Sequence, residues 1–303
     1  MHFRVRRCNT VFLRIKMEDI RNCKLNNISF NQTESGITCT INQAGAAATY
    51  PLNPGVFEPR AKAILMDLDG TTVKSEEFWI YLIEKTMKSV SKNEKFSFSE
   101  EDIPFVSGFS TVEHLTYAIN KYNIKCDVQY ANSVYHSIAE RELNEILEGR
   151  GNISAFKPRY GLKDFLFNLK DKGVKIGLVT SGLDYKAIPE IVSTFRLLDM
   201  GDPLEFYDAI ITGGRRKIPG QYGTLGELCA KPHPWIYSEI GIMFGEDKSK
   251  IVALEDSSSG ILAARLAGYA TIGLSDGNII KSNMQSFCLE MTDSLARVEE
   301  IVL

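Results

Sequence analysis

No apolar run in the 303-residue chain approaches the ~20 residues that cross a bilayer as a helix, so no membrane partner is expected. Basic residues are not in excess. Thirty-five Lys and Arg stand against 38 Asp and Glu, a net charge of −3, which leaves no surplus to hold a polyanion, and nucleic acid is not an expected partner. No Cys-x-x-Cys pair occurs. The six cysteines (Cys8, Cys23, Cys39, Cys126, Cys229, Cys288) are scattered, which argues against a zinc site or a disulfide framework and for reduced thiols, hence a cytoplasmic location. A dinucleotide-binding oxidoreductase is disfavoured because no Gly-x-Gly-x-x-Gly follows the first strong strand signal. A secretory leader is not expected from the first residues either. Four arginines surround the short apolar patch of MHFRVRRCNTVFLRI, and Arg14 and Lys16 interrupt it. The start is read as mature protein, with Met17 as an alternative first residue. The sequons at Asn27, Asn31 and Asn152 are read as chance matches.

What remains is ordinary soluble-protein material, 44% hydrophobic and 24% charged, long enough for about two domains. Residues 1–58 differ from the rest. Ile28 and Phe30, then Ile37, Cys39 and Ile41, alternate with polar residues around the turn chemistry of NQTES, which predicts a β-hairpin in a short β-rich N-terminal extension. The following AGAAATYPLNPGVFEPR carries three prolines and reads as a linker.

From Ala61 the pattern changes. AILMD is a continuous apolar run ending in charge, the mark of a strand buried on both faces of a parallel sheet. Similar runs recur at 174–180, 209–212, 250–256 and 270–274. Helical spacing lies between them, as at Leu162, Phe165, Leu166 and Leu169. The expected fold is α/β, a Rossmann-like doubly wound parallel sheet. A plain βαβ unit takes about 30 residues, yet roughly 100 separate the first two strands, and only helical patterns fill the interval: Phe78, Leu82 and Met87; Val112, Leu115 and Ile119; Val128, Tyr135 and Ile138. An inserted helical cap over 75–157 is therefore expected, leaving 59–74 and 158–303 as the catalytic core. An insert at that point lies over the strand ends where open α/β sheets bind ligands.

Four strand ends bring polar groups to one crevice. In ILMDLDGTTV, Asp67 ends a strand and Asp69 follows in a tight turn with Gly70 and Thr71. Two carboxylates so spaced can divide nucleophile and proton-transfer duties, although an Asp-Gly turn with a helix N-cap explains the motif equally well by itself. Thr180 and Ser181 in LVTSG can hold phosphate oxygens or simply cap a helix. Lys231 in CAKPHP is a cation fixed by prolines, or a solvated lysine. Glu255 and Asp256 in VALEDSSSG suit a hard cation such as Mg²⁺, or cap the next helix.

Taken together and in this order, these four segments resemble the haloacid dehalogenase superfamily. The likeness spans about Arg60 to Leu303, and KPHPWIY with LEDSSSGILAARLAGYATIGL is most similar to the branch of β-phosphoglucomutase, phosphoglycolate phosphatase and sugar-phosphate phosphatases. The resemblance implies a phosphoric monoester hydrolase acting on a small phosphorylated metabolite through an aspartyl-phosphate on Asp67. Asp69 would be acid and then base. Mg²⁺ would be held by Asp67, Asp256 and the Asp69 carbonyl, and Glu255 would act through water or a neighbouring group. Thr180, Ser181 and Lys231 would bind the phosphoryl oxygens. An acid at position 69 disfavours dehalogenation, because dehalogenating members lack it.

Where that branch's mutases carry a basic residue after the glycine of the cap loop, this chain has Gly108 followed by Phe109. That favours a phosphatase, in which both would contact substrate, over a phosphomutase. A silent phosphometabolite-binding protein on this fold is the alternative of another class. Arg215, Arg216 and Lys217 read as a solvated loop, with reach to an acidic substrate or a second phosphate as the alternative, and Trp79 and Trp235 as packing residues. A monomer or weak dimer is expected.

Overall fold

The structure is a computed structural model that describes residues 10–43, 46–106, 111–214 and 230–303. Thirteen strands and ten α-helices occur among them. In chain order the N-terminal elements are β1 (Val11–Leu13), α1 (Met17–Ile20), β2 (Ile28–Thr33), β3 (Gly36–Gln43), β4 (Ala46–Pro51) and β5 (Gly55–Phe57). There follow β6 (Ala63–Asp67), β7 (Val73–Lys74), α2 (Glu76–Ser91), α3 (Thr111–Lys121), α4 (Val128–Leu147), β8 (Lys157–Pro158), α5 (Leu162–Asp171), β9 (Lys175–Val179), α6 (Asp184–Leu197), α7 (Pro203–Phe206) and β10 (Ala209–Ile211). The C-terminal part comprises α8 (Trp235–Phe244), β11 (Ile251–Glu255), α9 (Ser258–Leu266), β12 (Ala270–Leu274), β13 (Glu290–Thr292) and α10 (Leu295–Val302).

Six strands form one parallel sheet in the order β10-β9-β6-β11-β12-β13, the α/β Rossmann-like arrangement expected from the apolar runs. Every residue of β6, β11 and β12 is buried, which is why these strands read as unbroken apolar runs and not as alternations. The sixth strand, β13, is only EMT and carries no such run. The chain turns to opposite sides of β6, with β9 and β10 on one flank and β11 to β13 on the other. The crevice at the carboxyl end of β6 is therefore a topological switch point. Asp67 pairs in register with Val179, and Leu254 with Met66, so Glu255 falls level with Asp67.

One face of the sheet packs Ala63, Leu65 and Ala253 against Ile236, Tyr237 and Ile240 of α8 and Ala263, Ala264 and Ala267 in and just after α9. Burying each of the larger side chains contributes about 1.5–3 kcal/mol, so α8 and α9, the elements that carry the polar loops, are firmly seated.

The chain divides into two compact units. The first comprises Met1–Thr72, Arg159–Leu183 and Leu204–Leu303, and the second Val73–Pro158 and Asp184–Pro203. In the second unit α4 packs against α2, α3 and α6. Asp127 caps α4 by accepting hydrogen bonds from the backbone N–H of Gln129 (2.9 Å) and Tyr130 (3.1 Å). Helix α6 carries Pro189 in its body, which masks its periodicity in the sequence.

The N-terminal residues depart from expectation. β2 and β3 form the hairpin, with Thr33 opposite Gly36, but the stretch read as a linker supplies two further strands. β4 adds to β3, and β5 pairs with β1. The physical reason is burial. Leu52 is 8% and Phe57 3% exposed, and Ile20, Cys39, Ile41 and Leu52 join one core with Ile261, Leu262 and Leu266 of α9. Arg265, fully buried, donates to the carbonyls of Leu13 (3.1 Å), Asn53 (3.2 Å) and Tyr269 (3.1 Å), and a side chain at Gly55 would collide with its guanidinium. Cys23, Cys39, Cys126 and Cys288 are free thiols. No helix among the described residues is long and apolar enough to cross a membrane.

Candidate active site

Asp67 closes β6 with its side chain 92% buried. Its carboxylate is paired with the Lys231 ammonium. Lys231 also donates to Glu255 Oε1 (2.6 Å), which takes a second hydrogen bond from the Tyr237 hydroxyl (2.6 Å), while Ser257 Oγ donates to Glu255 Oε2 (3.0 Å). Both oxygens of Glu255 thus have protein partners. Asp67, Glu255 and Asp256 offer carboxylate oxygens that all lie within 4.8 Å of one another. Burial, then the Glu255 carboxylate, push the Asp67 carboxyl well above the usual range, against the pull of Lys231. Burial alone would lower the Lys231 ammonium, but Asp67 and Glu255 outweigh it and hold it above the usual lysine range. Burial and Glu255 also raise the Tyr237 phenol, so it remains a donor.

The loop after β6 is built for close approach. Thr72 Oγ donates to the Asp67 carbonyl (2.5 Å), and Thr71 Oγ to Asp256 Oδ1 (3.4 Å). Gly70 adopts φ +81°, and a Cβ there would fall on the Asp256 carboxylate. Asp69, in the same turn, is half-buried. Gly70→Ala is therefore expected to displace Asp256 and weaken divalent-cation affinity by about tenfold or more. Calorimetric Mg²⁺ titration checks this, and affinity within twofold of the unaltered protein would contradict it.

On the β9 side Thr180 is buried; its Oγ accepts from Gly182 N (2.9 Å) and keeps its own proton to donate. Ser181 Oγ accepts from Lys231 N (3.0 Å), which fastens the Lys231 turn to the end of β9. The structure thus brings together Asp67, Lys231, Glu255 and Asp256, with Thr180 and Ser181 alongside. Gly108, Phe109, Arg215, Arg216 and Lys217 lie outside the described residues.

Arg159 is a member of the site that sequence reasoning missed. Buried just after β8, it donates to the carbonyls of Thr71 (2.7 Å) and Gly70 and grips Asp276 with both terminal nitrogens (3.0 and 3.2 Å). It ties the Gly70–Thr71 turn to the loop after β12. A lone arginine in KPRYG carries no periodic or motif signal. Tyr237 was equally hidden, since it sits at a core position of an apolar helix.

These carboxylates fit a divalent cation. They are oxygen donors crowded at a buried strand end, and Gly70 leaves room where any side chain would strike Asp256. Parallel sheet, switch-point crevice and an Asp–Lys–acid constellation together define a polar site at the carboxyl end of an α/β sheet. The profile of the haloacid dehalogenase-like hydrolases matches residues 61–268, and the chain belongs to that family. It is 24% identical over 224 residues to the phosphorylated carbohydrates phosphatase of Thermotoga maritima, covering 72% of this chain and 89% of that protein. It is 22% identical over 213 residues to hexitol phosphatase B of Escherichia coli, covering 69% and 82%. Among solved structures, CbbY from Rhodobacter sphaeroides in complex with phosphate superposes with a TM-score of 0.58 at 20% identity, covering 78% of this chain and 96% of that one, which is a likeness of fold.

Proposed function

We propose that this chain is a Mg²⁺-dependent phosphatase of a small phosphorylated metabolite, a sugar phosphate or a phosphoglycolate-like acid. The observation that carries the reading is the buried Asp67 carboxylate at the end of β6, held by Lys231 beside the acidic pair Glu255–Asp256. The phosphatase names of the two curated relatives support it.

In this reading one Asp67 oxygen attacks phosphorus in line, the P–O bond to the substrate breaks, and the leaving oxygen takes the Asp69 proton. Ionised Asp69 then removes a proton from water, whose oxygen attacks the aspartyl-phosphate and frees inorganic phosphate. Lys231 and the Thr180 and Ser181 hydroxyls stabilise the equatorial phosphoryl oxygens. Glu255 and Tyr237 hold Lys231 in place. Asp67, Asp256 and the backbone of Asp69 would hold the cation, which when bound neutralises phosphate charge and lets the crowded carboxylates stay ionised.

A phosphate-release screen over sugar phosphates, phosphoglycolate and nucleotides tests the substrate class, and absence of release from all of them would overturn the reading. Run with glucose 1-phosphate and its 1,6-bisphosphate, the same assay separates hydrolysis from mutase turnover. EDTA is expected to abolish release and Mg²⁺ to restore it, while Ca²⁺, with its looser shell of 6–8 oxygens, should not substitute. Undiminished turnover after exhaustive metal removal would contradict the metal assignment.

A further inference from the structure

The N-terminal strands precede the region matched to the family, yet one of their side chains reaches the turn that carries Lys231. Tyr50, on β4 and paired in register with buried Cys39, places its hydroxyl 2.8 Å from His233 Nδ1. The Tyr50 ring also meets His233 and Trp235 edge-on, with centroids 5.8 and 5.9 Å away. His233 is buried and stands two residues after Lys231, and Trp235 opens α8. Within the turn, His233 N donates to the Ala230 carbonyl (3.1 Å). The turn is therefore fastened to the β9 end through Ser181 and to the N-terminal sheet through Tyr50. A lysine ammonium rides on a flexible four-carbon stem, so the backbone of its turn decides where the charge can dwell.

We propose that Tyr50 is a positioning residue of the active site. Through His233 it holds the 230–234 turn, and with it Lys231, against Asp67 and Glu255, so the N-terminal extension is part of the catalytic framework. The catalytic half of this statement rests on the phosphatase reading, in which Lys231 stabilises the transferring phosphoryl group.

The test uses the full chain, p-nitrophenyl phosphate as probe, and amide hydrogen exchange read by mass spectrometry. Tyr50→Phe keeps the ring and removes only the hydroxyl. It is expected to lower kcat by roughly fivefold, the scale of one neutral hydrogen bond, with KM changed less than about twofold because Lys231 acts on developing charge. Exchange should quicken over 230–234 and not over β6 or β11. His233→Ala should behave likewise, and His233→Asn, which can offer a hydrogen-bonding atom near the position of Nδ1, should recover part of the loss. Wild-type kcat and wild-type exchange in Tyr50→Phe would overturn the proposal. So would exchange accelerated across the whole sheet, since that marks a role in stability alone. If the unaltered protein releases no phosphate, the phosphatase reading fails by itself, and exchange over 230–234 still decides whether Tyr50 fixes the turn.

Discussion

Asp67→Asn is expected to lower kcat by three orders of magnitude or more, roughly the loss that follows removal of a covalent nucleophile, while the protein stays folded. The amide keeps the shape of the side chain but cannot form an acyl-phosphate. Stability should survive for a separate reason. Burial and the neighbouring Glu255 and Asp256 raise the Asp67 carboxyl. A carboxyl whose folded-state pKa lies above its unfolded value destabilises the fold once pH exceeds the unfolded value, so at neutral pH Asp67 costs the metal-free protein stability. Asparagine removes that cost, and Lys231 retains Glu255 as a partner. The metal-free Tm of the variant should equal or exceed that of the unaltered protein. Added Mg²⁺ should raise the Tm of the unaltered protein more, because ligand binding to the native state shifts unfolding by mass action. Steady-state kinetics with differential scanning fluorimetry, with and without Mg²⁺, checks both halves. Turnover within tenfold of the unaltered enzyme would remove Asp67 from the chemistry. An equal Mg²⁺ shift in both proteins would remove it from the cation site.

How much of this was legible in the sequence depends on where the cause of each feature lies. AILMD and KIVALED announce buried parallel strands because both sheet faces are covered, so apolarity itself is the signal and no partner need be known. Asp67, Lys231 and Asp256 were readable because each sits at the end of such a strand or in a proline-fixed turn. The pairing of Glu255 was not. Adjacent acids in the sequence suggest cation ligands, but the protein hydrogen bonds that occupy both oxygens of Glu255 come from Tyr237, Lys231 and Ser257, brought in by folding. Arg159 was invisible for the same reason, since its role lies in the two carbonyls and one carboxylate that meet it in space. The stretch from Ala44 to Arg60 misled through composition. Three prolines suggest a linker, yet Pro51 ends β4, opposite Thr38 of β3, and Pro54 lies between β4 and β5, positions that an edge strand and a turn tolerate.

Deleting residues 1–56 should consequently leave a chain that does not stay folded in solution, the reverse of what a dispensable hairpin on a linker would allow. The deletion removes Ile20, Cys39, Ile41 and Leu52, all buried, and exposes Ile261, Leu262, Leu266, Ile279, Met284 and Phe287 of the shared core. At about 1.5–3 kcal/mol for each large side chain taken from water, four or five such losses reach roughly 10 kcal/mol. That is comparable with the ~5–15 kcal/mol that holds a whole domain together. Arg265 adds to the loss. Its guanidinium is buried, burial holds its pKa down to about 10, and the carbonyls of Leu13 and Asn53 are two of its acceptors. The deletion removes those two acceptors, and hydrogen bonds to a charged group contribute about 1.5–3 kcal/mol each to the folded chain. The measurement is expression and sedimentation of the truncated chain beside a milder variant, Arg265→Met, which keeps the extension and removes only the guanidinium. The truncation is expected in the insoluble fraction, and Arg265→Met soluble with its Tm shifted by a few degrees. A soluble truncated monomer with the Tm of the full chain would show that the contacts between β1–β5 and α9 contribute nothing to the fold.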